Sequence, residues 1–236
     1  MLQQEINPKM NRLLACLAED ELQALLPHFE AVPLAHGDHV IVPGVPIAHN
    51  YFPLDALLSL VTRMEDGASV ESGIVGREGM SGIPVLLNAK QTPMPTFTQV
   101  PGTALKIKAE IIKDAYEQRG ALHTLLNRYM HTVVVMGSYS TACNAVHKIE
   151  PRMAKWLLMS SDGVGSDEFN LTHEFLAVML GVRRASVSEI AAALRKEGLI
   201  DYVRGQIKIT DRSGLESASC ECYSKVKDEY ERLFGD

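Results

Sequence analysis

The stretch that decides the fold runs from position 171 to position 200 and reads LTHEFLAVMLGVRRASVSEIAAALRKEGLI. Thr172 is suited to cap a first helix, and Gly181 supplies the tight turn that follows it. A second helix is expected to have Ser186 in its first turn and to stop at Gly198. Apolar residues recur along it at the spacing of a buried stripe: Val187, Ile190, Ala191 and Leu194. Two such helices around a glycine turn predict a helix-turn-helix.

Two short apolar segments follow the second helix, at residues 199–203 and 206–209. They flank the pair Arg204-Gly205, and glycine is favoured in the turn of a β-hairpin. The segments therefore predict a wing beside the helix-turn-helix. We expect Arg204 at the tip of this wing, where a cation can meet a phosphate of DNA.

Charge is distributed unevenly along the chain. The whole chain has a formal net charge of −6, which argues against indiscriminate coating of nucleic acid by the entire surface. Between Arg183 and Arg212, however, seven basic side chains outnumber four acidic ones, so this segment carries +3 and the remainder −9. A local basic face on an acidic protein favours a confined DNA-binding surface.

Seven side chains of this region are candidate DNA contacts: Thr172, Arg183, Arg184, Ser186, Ser188, Glu189 and Arg204. Arginine can hold guanine through a bidentate pair, and serine or threonine can bond phosphates or base edges. The alternative interpretation of Arg183 and Arg184 is a solvated helix start. Basic residues that converge from the helix start and the wing onto one face favour contact with DNA instead.

The first 120 residues have a different pattern. Leucines at helical spacing between Met10 and Phe29 predict a helical N-terminal cap. From Val32 to Ile107, short apolar runs are separated by Gly, Pro and Asp, as is typical of an antiparallel sandwich or barrel. We therefore expect a β-rich sensor or effector domain over residues 1–120 of an α+β protein.

One long helix is predicted from position 121 to position 149, because glycine and proline become scarce and apolar residues recur in two adjacent stripes. A face this wide needs two partners. We expect one side to lie on the β-rich domain and the other, with Val133 and Met136, to pair with the same helix of a second subunit. A single core helix in a monomer is the alternative. The winged helix-turn-helix domain then occupies residues 150–236, after a turn-rich linker at residues 162–167.

This order of a β-rich domain, a long helix and a helix-turn-helix resembles the Crp/Fnr family of bacterial regulators. The residues that carry the resemblance are LTHEFLA at 171–177, Gly181, Val187 and GLI at 198–200. The resemblance implies a jelly-roll sensor domain like those that bind cyclic nucleotides, and a homodimer formed through the long helix. It also implies regulation of transcription from a palindromic site near promoters, with RNA polymerase as a further partner.

Individual positions can be compared with the family. Thr172 matches a residue that touches the DNA backbone, and Arg184 matches a recognition-helix arginine of the catabolite-activator branch. The glutamate and arginine that those regulators place on the recognition helix are here Ala185 and Glu189. We therefore expect a different operator.

The sensor domain departs from the pattern of the resemblance. A cyclic-nucleotide pocket needs a cation for the phosphate and an acceptor for the ribose hydroxyl, which the family supplies as a Gly-Glu turn followed later by an Arg-Ser-Ala element. Here Arg77 and Glu78 lie in an altered form of the first element and are the candidate effector-binding residues. The second is missing, since no basic residue lies between Lys90 and Lys106. Cyclic AMP is therefore not expected to bind, and any small-molecule effector is unidentified.

The four cysteines are too few for a disulfide framework in a chain of this length: Cys16, Cys143, Cys220 and Cys222. An iron–sulfur cluster is not expected, because the N-terminal half contains only Cys16. Cys220 and Cys222 fall on a predicted last helix over residues 213–234, which Ser213 and Glu216 would cap. Residues two apart on a helix point in different directions, so these thiols are assigned to packing. We expect no cofactor and no metal site.

Two other classes of protein remain as alternatives. A jelly roll also hosts metal-dependent, cupin-like catalysis or small-molecule binding, which would need a cluster such as His36, His39 and His49 with Glu71. Those residues are scattered, as is His28, so neither this chemistry nor haem binding is favoured. A winged helix that serves only as a protein adaptor is the second alternative. The chain shows no secretory leader and no membrane-length apolar run, so we expect it in the cytoplasm. As a transcription regulator, it is not expected to be an enzyme.

Overall fold

The computed structural model describes residues 7–203 and 205–235. The chain begins with short helices that match the predicted cap. A 3-10 turn at Pro8–Met10 precedes α1 (Arg12–Ala15) and α2 (Glu19–Leu25), and a second 3-10 turn covers Leu26–His28. Leucines at helical spacing on these segments are buried, as the periodicity predicts.

Seven strands and one short helix follow. The strands are β1 (Glu30–Leu34), β2 (His39–Ile41), β3 (His49–Pro53), β4 (Leu57–Arg63), β5 (Ser69–Val75), β6 (Thr96–Val100) and β7 (Gly102–Lys108), and α3 (Ile83–Leu86) lies between β5 and β6. They form two antiparallel sheets, in the orders β1-β7-β3 and β2-β6-β4-β5. The predicted antiparallel β domain is therefore present.

A glycine lies at a close contact inside the β domain. A Cβ atom on Gly102 of β7 would lie 2.6 Å from the backbone nitrogen of Ala56, in the loop between β3 and β4, so a larger residue would displace that loop. Leu58, Val75 and Ala104 pack beside this contact in a small apolar cluster. Leu57 and Ile74 lie on the other face of the same sheet from Leu58 and Val75. They are also buried, because that face packs against helices that follow later in the chain.

The long helix is α5 (Ala121–Val146), preceded by α4 (Ala109–Glu117). Glu21 caps its start from 100 residues away, since its carboxylate accepts the backbone N–H groups of Ala121 at 2.7 Å and Leu122 at 2.6 Å. The predicted position of Met136 in a subunit interface is wrong. Met136 is only 1% exposed and packs inside its own chain, where a Cβ on Gly73 would lie 2.5 Å from its methyl carbon.

Helix α6 (Ile149–Val164) continues further than expected. The sequence predicts a turn-rich linker from residue 162, whereas the helix ends only at Gly165, whose φ is 74°. The reason lies in Gly163. This residue touches Gly76 of the β domain, where an added Cβ would lie 2.3 Å from the Gly163 Cα. Here glycine provides close approach between two elements rather than a turn.

The winged helix-turn-helix has the predicted parts. After β8 (Glu168–Asn170) come α7 (His173–Leu180), α8 (Arg184–Lys196), β9 (Ile200–Val203) and β10 (Gln206–Ile209). Gly181 and Gly198 adopt positive φ values of 66° and 76° directly after the two helices. The strands form a three-stranded sheet in the order β8-β10-β9, and the hairpin of β9 and β10 is the predicted wing.

Two helices occupy the C-terminal region for which one helix is predicted. α9 (Arg212–Ala218) and α10 (Cys222–Gly235) are separated by three residues, so the single helix predicted over residues 213–234 is wrong. The predicted cap is wrong as well, because Asp211 caps α9 through the N–H of Gly214 at 3.0 Å. At Ser219 the backbone becomes extended, and its hydroxyl donates to the Glu216 carbonyl at 2.7 Å. This local bond competes with continuation of the helix.

One apolar core spans the two predicted domains. Leu57 and Ile74 of the β domain belong to the same buried cluster as Leu157 of α6, Leu176 of α7 and Val187 of α8. The winged helix-turn-helix region is thus docked onto the sheet of the β domain. None of the described helices is long and apolar enough to cross a membrane.

Candidate nucleic-acid interface

Helix α8 presents one side to the core and the other to solvent. Val187, Ile190, Ala191 and Leu194 are buried, as predicted. The opposite side is exposed and comprises Ala185, Glu189, Ala192 and Lys196. Ala192 and Lys196 are absent from the predicted contacts, although continuing the helical period from Ala185 and Glu189 would have found them. An exposed helix of 13 residues beside a wing can enter a major groove.

Arg184 begins α8 and is paired with the preceding helix. Its Nε lies 2.6 Å from Glu174 Oε1, and both side chains are largely exposed, at 65% and 63%. An ion pair this open to water is weak. The guanidinium can therefore leave Glu174 for a guanine edge or a phosphate. Arg183, directly before α8, is exposed on the same end of the helix.

Thr172 has the predicted capping role. Its Oγ1 accepts the N–H of Phe175 at 3.2 Å, and the residue is exposed. A hydroxyl that accepts one bond still has its own hydrogen to donate. Thr172 can therefore cap α7 and donate to a phosphate at the same time, as the resemblance implies.

Ser188 is turned partly inward. Its Oγ lies 3.0 Å from His173 Nδ1, and the His173 ring stacks on Tyr202 of the wing at 4.2 Å between centroids. Burial, followed by the nearby charge of Arg184, lowers the pKa of His173, which keeps the imidazole neutral. One histidine thus connects α7, α8 and the wing, a role that no local pattern around His173 predicts.

The remaining predicted contacts differ in position. Glu189 is exposed on α8, whereas Ser186 is half-buried at the edge of the helix. Arg204 lies outside the described residues, and its neighbour Val203 is 53% exposed on the wing. Thr172, Arg183, Arg184 and Glu189 are therefore each exposed, at the start of α7 and along α8, whereas the two serines are less accessible.

A second feature is a cavity of about 410 Å³ between the β domain and α5. It is lined mainly by apolar side chains, which include Val75, Met80, Met94 and Val133. None of the described residues that line it carries a positive charge. Thr96, from the segment where the resemblance requires an arginine, lies in the wall.

Arg77 and Glu78 lie elsewhere. They line a separate, smaller cavity of about 90 Å³ against α6 and α10. Arg77 Nε donates to the carbonyl of Asp162 at 3.2 Å, and Glu78 Oε1 accepts the N–H of Gly76 at 3.0 Å. Burial raises the pKa of Glu78. Both side chains hold the turn against α6, so the structure does not join them to the larger cavity.

The residues of a cupin-like site have other partners. His36 Nδ1 lies 2.8 Å from the Gln99 carbonyl, and its ring packs on Phe175. His39 packs on Phe97. Glu71 accepts hydrogen bonds from Ser59 at 2.6 Å and Trp156 at 2.7 Å. These contacts hold strands and helices together.

A β domain, a long helix and a winged helix-turn-helix with an exposed second helix together define a DNA-binding transcription regulator. Comparison with known families agrees. Residues 151–218 match the Crp-like helix-turn-helix domain, so the DNA-binding part is of the Crp type and the resemblance seen in the sequence is confirmed. No curated protein matches the chain at the level of sequence.

Solved structures with the same fold extend the likeness beyond that domain. A transcriptional regulator assigned to the crp/fnr family of Eubacterium rectale is 18% identical, with a TM-score of 0.66 over 89% of this chain and 98% of its own. FixK2 of Bradyrhizobium japonicum is 12% identical, with a TM-score of 0.67 over 81% and 98%. A CRP-family regulator of Thermus thermophilus is 20% identical, with a TM-score of 0.62 over 87% and 97%. The chain thus has the Crp/Fnr fold.

Proposed function

We propose that the protein binds a palindromic site near promoters as a homodimer and regulates transcription there through contact with RNA polymerase. The observation that carries the proposal is the exposed face of α8 beside the wing, with Arg183 and Arg184 at its start. Two such helices related by a two-fold axis read two half-sites of a palindrome. The division into a sensor at 1–120, a connecting helix at 121–149 and a DNA-binding domain at 150–236 belongs to this proposal.

The face of α8 suggests what it reads. Glu189 offers only acceptors, and a carboxylate in the major groove suits the amino group of cytosine. Arg184 suits guanine, while Ala185 and Ala192 offer small apolar contacts such as those made with the thymine methyl group. Because Ala185 and Glu189 replace a glutamate and an arginine of the catabolite-activator branch, the operator differs from that of the branch.

A second subunit can pair with one particular side of α5. Val134 is 66% exposed, and the small residues Ser138, Thr141 and Ala145 continue the same exposed side. The hydroxyls of Ser138 and Thr141 donate to helix carbonyls at 2.9 Å each, so they bring no unpaired donor to an interface. A helix side of this kind allows two helices to approach closely.

The cavity between the β domain and α5 supports an apolar effector. A cyclic nucleotide would bring a buried phosphate next to Met94 and Val133 with no cation to balance it, which is costly. A small hydrophobic molecule would instead bury apolar surface there. The cavity lies against Tyr129 and Val133 of α5, so an occupant would contact the helix assigned to dimerisation.

Selection of bound duplexes from a random pool tests the proposal. The purified full-length protein is expected to enrich an inverted repeat with half-sites about 10 base pairs apart, or a multiple of that spacing. Addition of a cell extract reports whether an effector changes the enrichment. A cupin-like protein or a protein adaptor would enrich no sequence, and that result would overturn the proposal.

A further inference from the structure

Three cysteines and a histidine from distant parts of the chain meet at one point. They are Cys143, His147, Cys220 and Cys222, and their donor atoms all lie within 4.8 Å of one another. Cys143 Sγ is 3.5 Å from Cys220 Sγ, and Cys222 Sγ is 3.6 Å from His147 Nδ1. The break between α9 and α10 makes this possible, because Cys220 and Cys222 do not lie on one continuous helix as predicted.

The spacing of these atoms suits a single tetrahedral ion. With Zn–S bonds of about 2.3 Å, neighbouring sulfurs of a tetrahedron lie about 3.8 Å apart. The Cys143–Cys220 sulfur separation of 3.5 Å is close to this value, and all four donor atoms lie within 4.8 Å of one another. Cys143 and His147 are four residues apart at the end of α5, so they share one side of the helix. Cys220 lies on the short segment between α9 and α10, and Cys222 is the first residue of α10.

The surroundings also suit a metal. His147 presents Nδ1 to the thiols, while its Nε2 lies 3.3 Å from Glu221 Oε2, and a metal-bound histidine commonly donates its second N–H to a carboxylate. Cys143 is 0% exposed, Cys220 6% and Cys222 3%, so the site is closed to water on the sulfur side.

We propose that Cys143, His147, Cys220 and Cys222 form a tetrahedral zinc site that fixes α10 to the end of α5. Three thiolates, a neutral imidazole and Zn²⁺ carry one net negative charge. A closed set of four protein ligands is a structural site rather than a catalytic one. The zinc site would join the end of α5 to the start of α10. This inference does not depend on the proposed function.

The first test uses the reduced, metal-free full-length protein. Titration with Zn²⁺ against a chromophoric chelator is expected to show one tight site per chain. Titration with Co²⁺ is expected to give thiolate-to-cobalt charge-transfer bands and the strong visible bands of a tetrahedral complex. Failure of the reduced protein to bind either ion tightly would overturn the proposal. Formation of a Cys143–Cys220 disulfide in a protein that binds no zinc would do the same.

Variants then assign the ligands. Cys143→Ser and Cys222→Ser should reduce the charge-transfer bands and weaken Zn²⁺ binding by at least about tenfold, whereas Cys16→Ser, which removes an exposed cysteine, should bind as the parent does. Glu221→Gln is a second probe, because Glu221 is 68% exposed in its side chain and its loss should leave the fold intact. We expect it to weaken Zn²⁺ binding by about tenfold without changing the cobalt spectrum. Unchanged zinc affinity in both cysteine variants would place the metal elsewhere and overturn the assignment.

Discussion

The carboxylate of Glu71 on β5 accepts a hydrogen bond from the indole Nε1 of Trp156 on α6, at a distance of 2.7 Å. This bond joins a sheet of the β domain to the first helix of the Crp-like domain. Burial raises the pKa of Glu71 to about 7, against the lowering effect of bonds from Ser59 and Trp156. A protonated Glu71 can donate to the Ser59 hydroxyl, which in turn hydrogen-bonds to the Gln99 side chain.

The first prediction concerns the pH dependence of stability. Because the pKa of Glu71 is higher in the fold than in the unfolded chain, its contribution is fully present below about pH 4.5 and is lost as pH rises through about 7. The loss is at most about 3 kcal/mol. Glu71→Gln cannot ionise, so urea unfolding should show the parent losing stability relative to this variant between about pH 5 and pH 8. Parallel pH profiles for the two proteins would show that Glu71 does not titrate in this range.

The second prediction concerns the ligand of the sensor cavity. Calorimetry should show no cyclic AMP binding tighter than about 10 µM, because no described residue of the cavity wall is basic. A neutral, apolar fluorescent probe should bind, and Met94→Trp should reduce its affinity by about tenfold by filling the cavity. Met64→Trp is the matched control, since Met64 is exposed and does not line the cavity. Tight cyclic AMP binding would mean that a cation reaches the site after all.

Local signals in the sequence predicted the helix-turn-helix well. Gly181 and Gly198 mark the ends of helices because positive φ favours glycine, and the buried stripe of α8 follows the helical period. The same local logic failed at Gly163, where glycine serves a contact with Gly76 that lies far away in sequence. A glycine alone does not reveal whether it is needed for a turn or for close approach.

Other features depend on contacts that no sequence window contains. Glu21 caps α5 from 100 residues away in the sequence, and the hydrogen bond between the Cys143 and Cys220 thiols joins residues that are 77 apart. The end of α9 has neither glycine nor proline, so nothing in the sequence distinguishes Ser219 from a residue inside a helix. The sequence did not predict the cysteine cluster, because the cluster depends on the break between α9 and α10 and on Cys143, which lies far away in the sequence.

The third prediction concerns the subunit interface. Val134→Asp should convert a dimer into a monomer in sedimentation velocity, or raise the dimer dissociation constant at least about tenfold, because a carboxylate would be buried between two helices. Val42→Asp provides the control, since Val42 is also exposed, at 46%, and lies on the β domain. A Val134→Asp protein that remains dimeric would place the interface on another surface.

The last prediction separates base reading from backbone contact. Arg184→Ala should cost about 1–3 kcal/mol on the selected operator and relax the preference at one base pair in each half-site. Arg204→Ala should weaken binding to all duplexes about equally and reduce the slope of log affinity against log salt by roughly one unit, because one phosphate fewer is neutralised. Both binding curves are measured by fluorescence anisotropy on operator and random DNA.

Glu174 supplies the control for that comparison. It holds Arg184 at 2.6 Å in the free protein and would have to release it for DNA. Glu174→Ala should therefore leave operator binding unchanged or strengthen it by up to about 1 kcal/mol, because the exposed ion pair no longer competes. In the double variant with Arg184→Ala this gain should disappear, since the freed guanidinium is absent. Equal losses on operator and random DNA for Arg184→Ala would show that Arg184 holds the backbone, and base reading would then rest with Arg183 and Glu189.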